Sequence, residues 1–181
     1  WDMQLATYGR EVIGFRRDFI YRLNGIIHGI HEKLSGSRED LVISYEPYVK
    51  EEEFEEILKK NRSQDRKQKT TLTGPHRDDI SFMVNGIDIR TYGSQGQQRT
   101  AALSLKLSEL ELVKELLHDS PILLLDDVLS ELDSSRQNHL LSAIQNIQTL
   151  ITCTGLDDFV NNRFQIDKVF KVVDGTVINE N

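Results

Sequence analysis

Ile122-Leu123-Leu124-Leu125-Asp126-Asp127 is the stretch on which the reading of this chain turns. The four apolar residues that follow Pro121 are too few for a helix, and no polar residue alternates with them. A run of that kind reads as a strand buried on both faces of a parallel sheet. It delivers two acids at its C-terminal end, the edge at which α/β sheets hold their ligands. The first acid can hold Mg2+ through water, because Mg2+ takes hard oxygen ligands, and the second can polarise an attacking water. Taken alone the pattern is weak, since acids often do no more than close a strand.

Downstream, Ser134 to Ile147 is expected to be a helix with Leu140, Leu141, Ile144 and Ile147 on one face, followed by a strand, Thr149-Leu150-Ile151-Thr152. Strand, helix, strand implies a right-handed crossover in a parallel sheet. Val169 to Val173 and Thr176 to Ile178 flank Asp174-Gly175 as a hairpin. Upstream, Tyr92-Gly93-Ser94-Gln95-Gly96-Gln97-Gln98-Arg99 runs into a helix predicted from Gln97 to about Leu117. Ser94 and Gly96 stand where free N–H groups at a helix N-terminus can meet an anion. The plainer reading is that Ser94 caps the helix. Before that segment, Asp79 to Val84 and Ile87 to Arg90 alternate around Asn85-Gly86, a strong hairpin signal.

The first part of the chain has another texture. Leu5, Tyr8, Val12, Phe15, Phe19, Leu23, Ile26, Ile30 and Leu34 recur in steps of three and four, one face of a long helix from Asp2 that Gly36 stops. Such a stripe is expected to be a packing seam. Leu41 to Tyr45 reads as a short strand, and Val49 to Asn61 as an acidic amphipathic helix. Lys59, Lys60, Arg62, Arg66, Lys67 and Lys69 form the one dense positive run, either a solvated loop or a contact for a phosphate backbone. A boundary is expected near Lys69/Thr70: a helical arm over 1–70, an α/β lobe over 71–181.

Composition narrows the class. With 22 Lys+Arg against 29 Asp+Glu, the net charge of −7 argues against a uniformly basic wrapper of nucleic acid. The single cysteine, Cys153, rules out an internal disulfide and fits a reducing cytosol. No apolar run approaches the roughly 20 residues that span a bilayer, so a soluble cytoplasmic protein is expected. The opening residues are no signal peptide, and a helix pattern that starts at once suggests a piece of something longer. His28, His31, His76, His118 and His139 are scattered, so no zinc site is expected. His76 and Arg77 could contact a phosphate, cap a loop or pair with Asp78 or Asp79, and a structural role is favoured.

Together, the motifs resemble ABC-type ATPases. Ser94-Gln95-Gly96-Gln97-Gln98-Arg99 is similar to their signature motif with Gln95 in place of a glycine, Asp126 matches the Walker B acid, and Ser130-Glu131-Leu132-Asp133 the D-loop. With Thr73-Gly74-Pro75-His76-Arg77-Asp78-Asp79 and the opening helix, the resemblance narrows to the RecF family of bacterial recombination mediators, related to SMC-type DNA-repair ATPases. It implies the C-terminal lobe of an ATPase head with a parallel-sheet core, plus a helical arm. It also implies ATP-dependent dimerisation on gapped DNA at single-strand/double-strand junctions, and RecA loading with RecO and RecR.

The resemblance assigns roles as well. Asp126 would hold Mg2+ through water, and Asp127 would be catalytic. Ser94, Gln95, Gly96 and Gln97 would act on a partner's ATP, with Ser130 and Asp133 in the D-loop. Asp127 stands where most ABC ATPases have glutamate, consistent with slow hydrolysis. No histidine follows the strand at Thr152-Cys153-Thr154, so Thr152 or Thr154 would sense the γ-phosphate instead. Lys67 and Lys69 are the DNA-binding candidates. No glycine is followed by lysine, so the chain has no phosphate loop of the Walker A type, and this piece alone is expected to hold no nucleotide and be inactive. The lobe of another ABC- or SMC-type ATPase is the alternative.

Overall fold

The computed structural model describes residues 1–154 and 166–180. Helix α1 (Asp2–Ser35) is 34 residues long, one residue past the expected end at Leu34, or about 50 Å at about 1.5 Å per residue. Gly36 ends it in the left-handed region at φ 69°, its N–H bonded to the Glu32 carbonyl.

The buried stripe of α1 is not the expected one over its first half. Ala6, Gly9, Ile13, Ile20, Leu23, Ile27 and Leu34 face inward, whereas Tyr8 and Phe15 are 64% and 72% exposed, with Leu5, Val12 and Phe19 also on the surface. The cause is the close approach of α2 (Phe54–Gln68). A methyl group added to Gly9 would lie 2.2 Å from the Phe54 ring. Small residues set the nearest crossing, so counting large apolar side chains picks out the neighbouring stripe instead.

Helix α2 starts later and ends later than expected. It takes in most of the basic run, and Lys69 closes it at φ 54°; the run is therefore the exposed end of a helix rather than a loop. α2 runs antiparallel to α1, as three ion pairs show: Arg17–Glu51, in the turn before α2, at 3.0 Å, then Arg10–Glu55 at 3.4 Å and Arg62–Asp2 at 3.5 Å along the helix.

Strand β1 (Leu41–Glu46) pairs antiparallel with β2 (Asp79–Val84), and β2 turns at Asn85-Gly86 into β3 (Ile87–Asp88). The strand predicted to Arg90 stops at Asp88, whose carboxylate accepts the Arg90 N–H at 2.9 Å and caps the short helix α3 (Ile89–Tyr92). α1 lies on this sheet, with Ile20, Leu23 and Ile27 packed among Leu41, Ile43 and Val84. Because β1 precedes residue 70 and β2 follows it, the segments on either side share one sheet and one core.

Asp78 staples this joint. Its side chain is 2% exposed and takes Arg16 Nη1 at 3.0 Å, the Tyr48 N–H at 3.0 Å and the Tyr45 hydroxyl. Burial, together with that carboxylate, pushes the Tyr45 hydroxyl well above its ordinary pKa. His76 bonds the Thr71 carbonyl at 2.8 Å, and Asp79 pairs with Arg90 at 2.5 Å. Asp78 and Asp79 are thus paired with arginines other than Arg77, which is exposed.

The second half is built on α4 (Gln95–Leu117), β4 (Leu123–Asp126), α5 (Ser134–Ala143) and β5 (Thr149–Thr152). α5 ends at Ala143 rather than Ile147; the chain tightens there into a turn closed by the Ile147 N–H on the Ile144 carbonyl at 2.9 Å. β4 and β5 pair in parallel from Leu123 opposite Thr149 to Asp126 opposite Thr152. Leu123 and Leu125 pack against Leu103, Leu107, Leu110 and Leu140, with Leu34 of α1 joining them. The other face is open, with Leu124 71% and Leu150 53% exposed. Burial on both faces, expected from the four apolar residues, holds for one face. The chain closes with the hairpin β6 (Val169–Val173) and β7 (Thr176–Glu180).

Gly9→Ala should destabilise the fold by about 1–3 kcal/mol through overpacking, despite alanine's better helix propensity. The thermal midpoint should fall, and Phe54→Leu in the same chain should recover part of the loss.

Candidate functional site

Two groups of polar side chains gather the candidate residues, and they lie on the second half of the molecule. The first sits at the C-terminal ends of β4 and β5. Parallel register puts Asp126 beside Thr152, and the Thr152 hydroxyl donates to Asp126 Oδ1. The same Thr152 Oγ1 accepts the Asp127 N–H at 3.1 Å, and its carbonyl takes that N–H at 3.2 Å. Ser130 Oγ donates to the Asp127 carbonyl at 2.8 Å. Asp126, Asp127, Ser130 and Thr152 are all exposed, so the edge is open to a ligand. Thr154 lies two positions beyond the strand, exposed, and only Thr152 of the two reaches Asp126.

Asp127 has φ 52°. Aspartate tolerates this left-handed backbone, because its short side chain can bond locally, better than longer residues do. The carboxylate departing from the usual glutamate is therefore the one suited to this turn.

The second group joins two helix starts. Ser94 caps α4: its Oγ accepts the Gln97 N–H at 3.2 Å while Gln97 Oε1 accepts the Ser94 N–H at 3.0 Å. The cap satisfies Gln97, and the first amides of the helix, Gln95 and Gly96, have no intrahelical acceptor. Both the capping and the anion-facing readings of Ser94 are compatible with this geometry. Asp133 caps α5, accepting the N–H groups of Ser135 and Arg136, each at 3.0 Å. Arg136 Nη1 also meets Asp133 Oδ2 at 2.9 Å. These bonds, led by the Arg136 N–H, hold the Asp133 carboxyl below its ordinary pKa.

Residues that no motif flagged tie the two caps together. Glu39 Oε1, from the loop between α1 and β1, accepts Gln97 Nε2 at 3.1 Å and lies 3.8 Å from Arg136 Nη2. A methyl group on Gly96 would lie 2.7 Å from Arg136 Nη1, so glycine there makes room for the arginine. On the far side of Glu39, His31 Nε2 stands 3.3 Å from Oε2. Burial pushes the His31 imidazole below its ordinary value, while Glu39 draws it back up. No sequence signal marks Glu39, His31 or Arg136, because each meets the others only through the tertiary fold.

Lys67 and Lys69 are not part of either group. α2 runs back along α1, so its C-terminal end lies at the Asp2 end of α1. From there to His31 the helix rises about 43 Å. Lys60, Arg66, Lys67 and Lys69 are exposed at that remote tip. Among the described residues no group of three or more His, Cys, Asp or Glu side chains could cage a metal. No helix among them is long and apolar enough to cross a membrane.

No protein-family model matches the chain. It is 61% identical over 177 residues to the DNA replication and repair protein RecF of Agathobacter rectalis, covering 98% of this chain and 49% of that protein. It is 57% identical over 181 residues to RecF of Lachnospira eligens, covering 100% and 50%. The chain thus spans about half the length of the curated relatives it matches. Among solved structures, the recombination mediator RecF with ATP, of the RecFOR pathway, superposes with a TM-score of 0.81 at 38% identity over 99% of this chain and 49% of that one. An SMC ATPase, with TM-score 0.55 at 15% identity over 93% of this chain, shares the fold. The α/β architecture expected from the motifs is the one these relatives have.

Since the folded pKa of Asp133 is depressed, its contribution is present above the ordinary carboxylate range and is lost as pH falls through the folded value. Asp133→Asn, which caps without titrating, should flatten the acid limb of a thermal midpoint against pH profile below about pH 4 relative to wild type.

Proposed function

We infer that this chain, RecF-like in sequence and in fold from end to end, is the C-terminal half of a recombination-mediator ATPase and supplies half of a composite ATP site. The observation that carries this reading is the β4–β5 edge, where the Asp126 carboxylate meets the Thr152 hydroxyl at the ends of parallel strands and Asp127 follows, its N–H held by Thr152. That is where α/β sheets bind ligands.

The donor set fits Mg2+. Exposed carboxylate oxygens with no cage among the described residues suit an ion that keeps several waters and shares its shell with phosphate oxygens. Asp126 holds it through water, with Thr152 orienting the carboxylate. When bound, Mg2+ offsets charge on the phosphate oxygens. Asp127 accepts a proton from the attacking water, and its short side chain makes hydrolysis slow. Thr152, with Thr154 beyond it, takes the place of a γ-phosphate-sensing histidine. The amides of Gln95 and Gly96, with Ser94 and Gln97, meet the phosphates of ATP held by a second copy, and Ser130 and Asp133 line the same junction. The nucleotide's phosphate cradle comes from the other half of the relatives' length, which also covers the open face at Ile122, Leu124 and Leu150. This piece alone therefore neither holds nucleotide nor hydrolyses it.

The activity of the whole follows: ATP-dependent dimerisation on gapped DNA in the cytoplasm, and RecA loading with RecO and RecR. Lys67 and Lys69, on the exposed tip of α2, contact the DNA backbone.

Joined to its phosphate-loop half, Ser94→Arg should abolish ATP-dependent dimerisation in sedimentation, while wild type dimerises; normal dimerisation would remove Ser94 from the junction. Lys67→Glu with Lys69→Glu should lower the slope of log K for DNA against log salt by roughly 2. An unchanged slope would take the α2 tip off the DNA surface.

A further inference from the structure

Three buried polar atoms without a hydrogen-bond partner occur among the described side chains, and all belong to one cluster: His31 Nε2, Glu39 Oε2 and Arg136 Nε. Unpaired polar atoms are costly in a core, so their gathering at one point calls for a reason beyond stability. The atoms around them form a continuous line. Ser94 N–H bonds Gln97 Oε1, Gln97 Nε2 bonds Glu39 Oε1, and Glu39 faces Arg136, which in turn holds Asp133. One end of that line is the cap of α4 and the other the cap of α5.

The third side of Glu39 is anchored to α1. Ser104 Oγ donates to the Thr100 carbonyl at 2.8 Å, so its oxygen is left to accept, and the proton on His31 is assigned to Nδ1, 2.8 Å away. His31 Nε2 then faces Glu39 Oε2 across 3.3 Å, and one further proton shared between them removes the clash of lone pairs. His31 is fully buried, and its helix continues for about 40 Å to the tip beside α2.

We propose that Glu39 is a positioning residue: its single carboxylate, anchored through His31 to α1, sets the spacing between the Ser94–Gln97 segment and the Asp133 cap, so that both can meet one nucleotide across a dimer. The Gln97 and Arg136 side chains are the arms of this spacer, and Gly96 leaves the room Arg136 needs. A shift of α1 at His31 is transmitted to both caps at once, which links the arm to the ATP-binding edge by direct contact. The proposal rests on the reading of Ser94 to Gln97 as the segment that acts across the dimer.

The test is made in the chain extended to the full length of its relatives, with ATP and Mg2+ as the probe. ATP affinity of the monomer is measured separately from ATP-dependent dimerisation, for wild type, Ser94→Arg, Glu39→Gln, Gln97→Ala and the double variant Glu39→Gln/Gln97→Ala. Glu39→Gln is expected to bind ATP within about twofold of wild type and to dimerise about tenfold more weakly. Its loss should shrink sharply in the Gln97→Ala background, because the two residues act through one contact. If Ser94→Arg fails to dimerise while Glu39→Gln dimerises like wild type, the spacer is refuted and the across-dimer reading stands. Equal loss of ATP binding and dimerisation, or additive effects in the double variant, also refutes it. If Ser94→Arg dimerises normally, both readings fall. Should Glu39→Gln lower the thermal midpoint enough to unfold at the assay temperature, Arg136→Gln makes the same measurement from the other arm.

Discussion

The packing of α1 along the rest of the chain is the constraint on which the structure depends. Its residues enter each of the three cores: Ala6 and Ile13 beside α2, Ile20, Leu23 and Ile27 on the antiparallel sheet, and Leu34 among the leucines of α4, β4 and α5. A single helix thereby holds in register elements that are distant in sequence. Loss of one large side chain from such a core costs roughly 2–5 kcal/mol, a large share of the stability of a domain. α1 also sets a distance, with the basic tip of α2 at one end and the His31–Glu39 contact at the other.

The β4–β5 edge illustrates how weak local signals become specific by assembly. A strand ending in acids, a capped helix and a threonine are each commonplace. Parallel register brings Thr152 to Asp126, and the turn at φ 52° suits Asp127 to aspartate. The same register leaves Leu124 and Leu150 exposed on one side of the sheet, an apolar surface of a kind that marks an interaction site when contiguous.

Much of this was legible beforehand. Periodicity marked α1 to within a residue, Asn85-Gly86 marked the β2–β3 hairpin, and Ile122 to Asp127 marked the parallel strand and its acids. The misreadings share a cause, which is that patterns of residue type carry no information on what lies opposite. Gly9 carries no such signal, because a small residue is recognisable as a contact only once Phe54 is seen against it. The helix at Ile89 was overlooked because the Asp88 cap competes with a strand pattern that continues through it. The basic run reads as a segment after the helix because no apolar residue between Asn61 and Gln68 continues the inward stripe of Phe54, Ile57 and Leu58.

The amino-acid sequence by itself determined the elements, their polarity and the chemistry at their ends, since these follow from side-chain spacing and from the conformations that Gly, Asp and Ser favour. Tertiary structure alone decided which face of α1 is buried, which threonine meets Asp126, and that Glu39 stands between Gln97 and Arg136. Those outcomes depend on close approach between distant segments, 26 residues apart for Thr152 and Asp126, 58 for Gln97 and Glu39, and 97 for Arg136 and Glu39. No local propensity encodes such a separation; only the packing of a shared core does.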